Sequence, residues 1–264
     1  MNNKEIRELR AFCRELATGA GVILRKGFSK SKKVDYKGRI DPVTQFDHEA
    51  ERFIVSRIEK TYPDHEVLAE EGSETGQRSP YRWIIDPLDG TVNFTHGFPV
   101  YCSSVAVEYD KRVVAGAVYD PERDELFSAG LGMGAHLNRH PIEVSGERKL
   151  ERALLATGFA YDIGTSSRNN LGLFARMAKK AQGVRRPGSA AIDLCWLAAG
   201  RIDGFWELKL KPWDTAAATL IITEAGGKVS RLDGGRYSIY HKELLASNGK
   251  LHRAMSEVLS GENR

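Results

Sequence analysis

The sequence predicts an α/β (α+β) fold on three observations. The first sixty residues carry helical periodicity, a central block is a series of short β-rich runs, and the last third alternates strand and helix patterns. At 264 residues the chain can bury a substantial core without disulfides or a structural metal. No repeat, low-complexity tract or Pro/Ser-rich linker interrupts it. One body over residues 1–264 is expected, with a soft subdivision near 145–152 into a 1–150 half and a 151–264 half.

From Glu5 to about Lys26, Ile6, Leu9, Cys13, Leu16, Ala17, Ala20 and either Ile23 or Leu24 recur at three and four, an amphipathic helix. A second helical pattern starts at Asp47, carries Ala50, Phe53, Ile54 and Ile58 on one face, and stops at Tyr62-Pro63. Strands follow at 66–69, 83–85, 103–107, 113–119 and 125–128, separated by Gly, Pro, Asp and Asn and read as one largely antiparallel sheet. Beyond Ala153 come a strand at 154–157, helices near 169–180 and 189–199, a strand at 204–208 and a helix at 213–225, the rhythm of an α/β layer.

Hydrophobic content of 41% and charged content of 28% are those of a soluble globular protein. The net charge of +4 is mild, with basic residues dispersed except at Lys30-Ser31-Lys32-Lys33 and Arg185-Arg186. Such clusters suit a solvated loop, an anionic substrate or nucleic acid. Cys13, Cys102 and Cys195 lie far apart without CxxC or His/Cys spacing, which argues against disulfides and zinc and fits a reducing compartment. No apolar run has the length of a signal peptide core or a membrane span. The expectation is a soluble, cytoplasmic protein with no membrane partner, for which nucleic acid is a disfavoured partner.

Chemistry concentrates in acids at element ends. In Trp83-Ile-Ile-Asp86-Pro-Leu-Asp89-Gly-Thr91 a buried strand ends on two carboxylates, with Pro87 expected to end the ladder and Gly90 to permit a sharp turn. Asp86 and Asp89, three apart across a bend, can converge on one cation together with backbone carbonyls. If the chain turns helical after Gly90, the amides of Gly90 and Thr91 and the Thr91 hydroxyl face a phosphate. Glu70-Glu71 follow another strand, Asp214 opens the apolar run Thr215-Ala-Ala-Ala-Thr-Leu-Ile-Ile, and Thr44 and Asp47 precede a helix. Each has an ordinary reading as turn, solvated pair or cap. Together they sit where open α/β structures gather ligands. No Ser, Cys or Asp stands beside a base as an activated nucleophile would, and His96 reads as a loop residue.

On these residues the chain closely resembles the inositol monophosphatases, lithium-sensitive and magnesium-dependent phosphatases. The resemblance spans roughly residues 5 to 260. It is carried by Trp83-Ile-Ile-Asp86-Pro-Leu-Asp89-Gly-Thr91-Val-Asn93-Phe94 and by Trp213-Asp214-Thr-Ala-Ala-Ala with Glu224-Ala-Gly226-Gly227. It implies the layered αβαβα sandwich of the sugar phosphatases and a homodimer. It also implies that Glu70, Asp86 and the Leu88 carbonyl bind one magnesium, that Asp86, Asp89 and Asp214 bind a second, and that a weaker third ion lies near Glu70. By the same resemblance Thr91, supported by Asp47, helps Glu70 orient and deprotonate the attacking water, Gly90 and Thr91 hold phosphate oxygens, and Glu71 backs Glu70. Such an ion pair supports in-line displacement without a covalent intermediate.

The resemblance places Glu207, seven residues before Asp214, on inositol hydroxyls, and Arg186-Pro-Gly188-Ser189-Ala190 at the family's sugar-contacting turn. An exposed strand glutamate and a helix cap at Ser189 are the ordinary readings of the same residues. Relatives on this scaffold cleave fructose 1,6-bisphosphate, histidinol phosphate or the 3'-phosphate of adenosine bisphosphates. Glu207 and the lack of long insertions favour myo-inositol monophosphate, with fructose 1,6-bisphosphate as the alternative. A regulatory role touching RNA or a transcription partner through Arg185, Arg186 or Lys30 to Lys33 is the reading of a different class.

Overall fold

The computed structural model describes residues 1–38, 40–75 and 79–261. It opens on α1 (Asn3–Phe28), whose Asn2 side chain accepts the Glu5 amide at 3.0 Å and whose last turn carries Arg25 and Lys26, both favourable to the helix dipole. The predicted apolar face is the buried one, with Leu24 rather than Ile23 completing it. Strands β1 (Val34–Tyr36) and β2 (Pro42–Thr44) form a small hairpin leading into α2 (Gln45–Thr61). Strands β3 (Glu66–Ala69), β4 (Glu74–Thr75) and β5 (Tyr81–Asp89) precede the six-residue helix α3 (Thr91–His96). Then come β6 (Cys102–Tyr109), β7 (Arg112–Asp120), β8 (Glu125–Gly130), β9 (Ala135–Leu137) and β10 (His140–Ile142). The remainder is β11 (Leu154–Thr157), α4 (Leu171–Ala178), β12 (Gly183–Arg185), α5 (Ala190–Ala198), β13 (Gly204–Leu208), α6 (Pro212–Glu224), β14 (Lys228–Ser230), β15 (Glu243–Ser247) and α7 (His252–Ser260).

An eight-stranded sheet runs β10-β9-β8-β7-β6-β5-β3-β4, antiparallel except where β3 lies parallel to β5. A five-stranded sheet runs β12-β11-β13-β15-β14, parallel across its first three strands and antiparallel beyond. Side-chain alternation along the strands builds the layers. On β5, Trp83 and Ile85 enter a core with Leu16, Leu24, Ile54 and Ile58 of α1 and α2, whereas Ile84 faces α6 on the other side. On the second sheet Phe205, Leu244 and Ala246 join that α6 core, whereas Trp206 and Leu245 turn to Met177 of α4 and Met255 of α7. The order is therefore helix, sheet, helix, sheet, helix, the αβαβα sandwich expected from the sequence resemblance. It explains why α6 is apolar all round: a helix between two sheets has no solvent face.

One expectation is corrected. Pro87 does not end the ladder; β5 continues to Asp89, pairing Asp86 with Ser104 and Asp89 with Cys102. Three steps on β5 oppose two on β6, a bulge that tolerates a proline lacking an amide donor. The bulge re-aims Asp86, Leu88 and Asp89, and Gly90 completes the reversal at φ 96°, where an added Cβ would lie 2.9 Å from the Val100 carbonyl oxygen.

Candidate active site

The ends of β3 and β5 and the starts of α3, α5 and α6 converge on one cavity of about 320 Å³. Glu70, Asp86, Leu88, Asp89, Gly90, Thr91, Arg186, Gly188, Ser189, Glu207 and Asp214 all line it. Asp47 stands behind Thr91.

Four aspartates are each fixed by hydrogen bonds at one oxygen. Asp86 Oδ1 accepts the Leu88 amide at 3.1 Å, closing the bulge on itself. Asp89 Oδ2 accepts the Ser189 hydroxyl at 2.6 Å and the Ala191 amide at 2.7 Å, so the start of α5 holds a residue from the other sheet. Asp214 is the third residue of α6, after Pro212 at the first position, and its Oδ2 accepts the Lys211 amide at 2.7 Å. Asp47 holds the same place in α2, accepting the Thr44 amide at 2.8 Å and hydroxyl at 2.6 Å on Oδ2. The capping reading is thus correct for Asp47, and it leaves Oδ1 to meet the Thr91 hydroxyl at 3.2 Å. That hydroxyl also lies 3.0 Å from the Leu88 carbonyl oxygen. Ser189 likewise both caps α5, through the Ile192 amide at 3.3 Å, and binds Asp89.

Burial is the main force on these acids and it raises every one of them. Asp47 is pushed up to about 6 by burial, against the opposing Thr44 bonds. Glu70 is raised to about 7, again by burial first, with Lys37 opposing and Glu71 reinforcing. Asp86 is raised well above the usual range by burial and then by Glu70, Asp89 and Asp214. Asp214 is raised by burial, opposed by the Lys211 amide, and Asp89 by burial, opposed by Ser189 and Ala191. Glu207 is pushed up to about 8 by burial and by Asp89, with Arg186 opposing.

Among the described residues no three His, Cys, Asp or Glu side chains already enclose a cation position. The donor set nevertheless fits a hard divalent ion: four carboxyls and a carbonyl, all oxygen, line one cavity whose walls carry seven carboxyls against four basic side chains. Raised carboxyls that repel one another in a buried site are relieved by a bound cation.

Several contributors were not foreseen. Lys37 places Nζ 3.2 Å from Glu70 Oε1 and 2.6 Å from Glu71 Oε1; no local pattern marks a loop lysine for this. Glu51, buried, accepts the Glu71 amide at 2.9 Å and the Ser73 amide at 3.2 Å, fixing the turn that presents Glu70. A signal existed: Glu51 lies one turn after Asp47 on an otherwise apolar face. Asn93 donates from Nδ2 to the carbonyls of Val100 at 2.8 Å and Pro187 at 2.9 Å, tying α3 to the turn before α5. The Lys30 to Lys33 run is mostly exposed, except that Lys32 reaches the Phe28 carbonyl at 2.6 Å and caps α1. His96 ends α3 on the surface. No helix among the described residues is long and apolar enough to cross a membrane.

The layered sandwich is shared with solved inositol monophosphatase structures. The structure of inositol monophosphatase from Anabaena (Nostoc) sp. superposes with a TM-score of 0.90 at 38% identity, covering 97% of each chain. The Thermotoga maritima IMPase superposes at 0.87 with 35% identity, over 95% of this chain and 96% of that one. The chain is a phosphoric monoester hydrolase. The inositol monophosphatase family model matches residues 5–262, and the chain belongs to that family. Its members are generally magnesium-dependent and act on phosphorylated polyols. Among relatives, the inositol-1-monophosphatase of Synechocystis sp. is 44% identical over 93% of this chain and 86% of that one. The Nus factor SuhB of Pseudomonas aeruginosa is 41% identical over 90% and 91% respectively.

Proposed function

We propose that the chain hydrolyses myo-inositol monophosphate to inositol and phosphate. The observation that carries this reading is Glu207: a carboxyl beyond the acid cluster, in the same cavity, suited to hydroxyl groups and not to phosphate. Glu70, Asp86 and the Leu88 carbonyl would hold one cation, and Asp86, Asp89 and Asp214 a second. Magnesium bound there supplies charge neutralisation for the phosphate and the leaving oxygen, and acidifies a water. The chain's residues do the positioning. A Thr91 hydroxyl that donates to Asp47 turns its lone pairs toward the attacking water, and Glu70 takes the proton. The amides of Gly90 and Thr91 orient phosphate oxygens, and Arg186, Gly188 and Ser189 flank the polyol with Glu207.

A phosphate-release panel with magnesium tests the reading. The expected order has myo-inositol 1-phosphate highest in kcat/KM, fructose 1,6-bisphosphate lower and 3'-phosphoadenosine 5'-phosphate negligible, with lithium inhibiting. Hydrolysis of the adenosine bisphosphate alone contradicts it. Fructose 1,6-bisphosphate is the second reading because Arg186 and Lys211 line the same cavity, basic groups that suit a second anion. Ser189→Ala frees Asp89 from its hydroxyl donor. The magnesium concentration for half-maximal activity is expected to rise about 10- to 100-fold, the usual loss for a residue that orients a ligand; an unchanged magnesium titration removes Ser189 from that role.

A further inference from the structure

Helix α5 reads Ala-Ala-Ile-Asp193-Leu-Cys-Trp-Leu-Ala, and among its described neighbours Ala191, Ile192, Leu194, Cys195, Leu197 and Ala198 are all buried apolar residues. Into this helix the sequence inserts one acid. Asp193 is 1% exposed, lines the cavity, and its Oδ1 is buried without a hydrogen-bond partner among the described residues. An unpartnered buried carboxylate oxygen is costly and persists where something else repays it.

Helix capping does not account for it. Ser189 already caps α5, and the Asp193 amide is spent on the Ser189 carbonyl at 3.1 Å. An acid in the first turn is favourable to the dipole, yet that benefit is available from an exposed position and leaves the buried oxygen unexplained. What faces Asp193 is the polyol end of the cavity. Glu207 and Asp89 are the acids whose charge reaches it, and Arg186 is the base that opposes them; burial raises the Asp193 carboxyl further. The Glu207 carboxyl lies over Gly158, where an added Cβ would come within 2.3 Å of Oε1, so the glycine leaves the room that the carboxyl occupies. Two carboxyls from different elements, α5 and β13, therefore flank the space that a leaving alcohol enters.

We propose that Asp193 is a specificity-determining residue, which accepts a hydrogen bond from a hydroxyl of the leaving polyol adjacent to the one met by Glu207, so that the two together read a vicinal diol. The assignment rests on the polyol phosphatase reading and sharpens it. Two acids side by side hold hydroxyl donors and, where they are ionised, repel a second phosphate, so Asp193 selects against bisphosphates that Arg186 and Lys211 at the cavity rim attract. A site built to hydrogen-bond a hydroxyl rejects an analogue lacking it much more strongly than an apolar site does.

The test compares wild type, Asp193→Ala and Asp193→Asn in magnesium on three esters: myo-inositol 1-phosphate, fructose 1,6-bisphosphate, and p-nitrophenyl phosphate, which has no hydroxyl to read. Asp193→Ala is expected to lose about 10- to 100-fold in kcat/KM on the inositol ester, the scale of a hydrogen bond to a charged group. Most of the loss is expected in KM, and p-nitrophenyl phosphate turnover is expected within about twofold of wild type, since an ester making no such bond has none to lose. Asp193→Asn keeps the size and a carbonyl acceptor, so it retains more inositol activity and, at a pH where Asp193 is ionised, shifts the preference toward the bisphosphate by about tenfold, the effect of removing one facing charge. Equal losses on the inositol and aryl esters would mark Asp193 as structural and overturn the inference, as would no loss on either. If Asp193→Ala does not fold, the substrate ratios of Asp193→Asn decide it alone, an unchanged preference overturning it. Wild type that turns over p-nitrophenyl phosphate but not the inositol ester removes the inositol reading and this inference together, whereas activity on both with an unchanged preference in the variants removes the inference only.

Discussion

Asp89→Asn is expected to lose at least about 100-fold in magnesium-dependent phosphate release, the upper end of the loss seen when only a supporting residue of a metal site is removed. The fold should survive. The side-chain carbonyl of asparagine can accept the Ser189 hydroxyl and the Ala191 amide as Asp89 Oδ2 does now, at 2.6 and 2.7 Å. What the substitution removes is a negative charge that burial disfavours and that reinforces the raised state of Asp86, Asp214 and Glu207. The variant is therefore expected to melt a few degrees higher than wild type in EDTA, a trade of stability for activity common at functional sites. Activity assays across magnesium concentration, with melting curves in EDTA, check both halves. Wild-type activity of the variant in saturating magnesium would remove Asp89 from the ion-binding set.

The metal-free protein is expected to lose stability as pH rises from about 4 to about 8, and magnesium to restore it mainly at the upper end. Burial raises Asp47 from 3.8 to about 6, Glu70 from 4.5 to about 7 and Glu207 from 4.5 to about 8. A carboxyl whose folded pKa exceeds its unfolded one favours folding while it is protonated. Its contribution is fully present below about pH 4 and is lost as pH climbs through the folded value of each group. A cation that binds the ionised cluster competes with those protons. At about a hundred times its dissociation constant, magnesium adds close to 3 kcal/mol, or roughly 5–10 °C in Tm for a chain of this size. Scanning calorimetry at about pH 5 and pH 8, with and without magnesium, reads this directly; the increment should be several-fold larger at pH 8. Equal increments at the two pH values would show that the raised acids are not where magnesium binds.

The layered fold was legible because its elements advertise themselves locally. The period of α1, the strands at 66–69, 154–157 and 204–208, and the all-apolar stretch of α6 emerge at or near their expected bounds. The short strands β1, β2, β4, β9, β10, β12 and β14, the longer β15 and helix α7 were missed. Strands of three residues or so are too brief to show alternation, and pairing across the sheet, rather than propensity, holds them. Pro87 misled for a related reason: proline forbids one ladder bond, and only the partner β6 decides whether the strand ends or bulges.

The acids divide in the same way. By itself the sequence determined their identity and their placement at strand ends and helix starts, because turn chemistry and capping are local: Asp47 and Asp214 are each third in a helix, and Asp86 folds back on its own bulge. Only the tertiary structure decided that Asp89 is held by Ser189 one hundred residues later, that Lys37 leans on Glu70, and that Asp193 faces the same cavity as Glu207. Those relations join separate layers of the sandwich, and a one-dimensional pattern carries no term for which layers meet. The burial that raises these acids is likewise a property of the packed core, and it makes a set of ordinary caps and turns into a site for a cation and a phosphate.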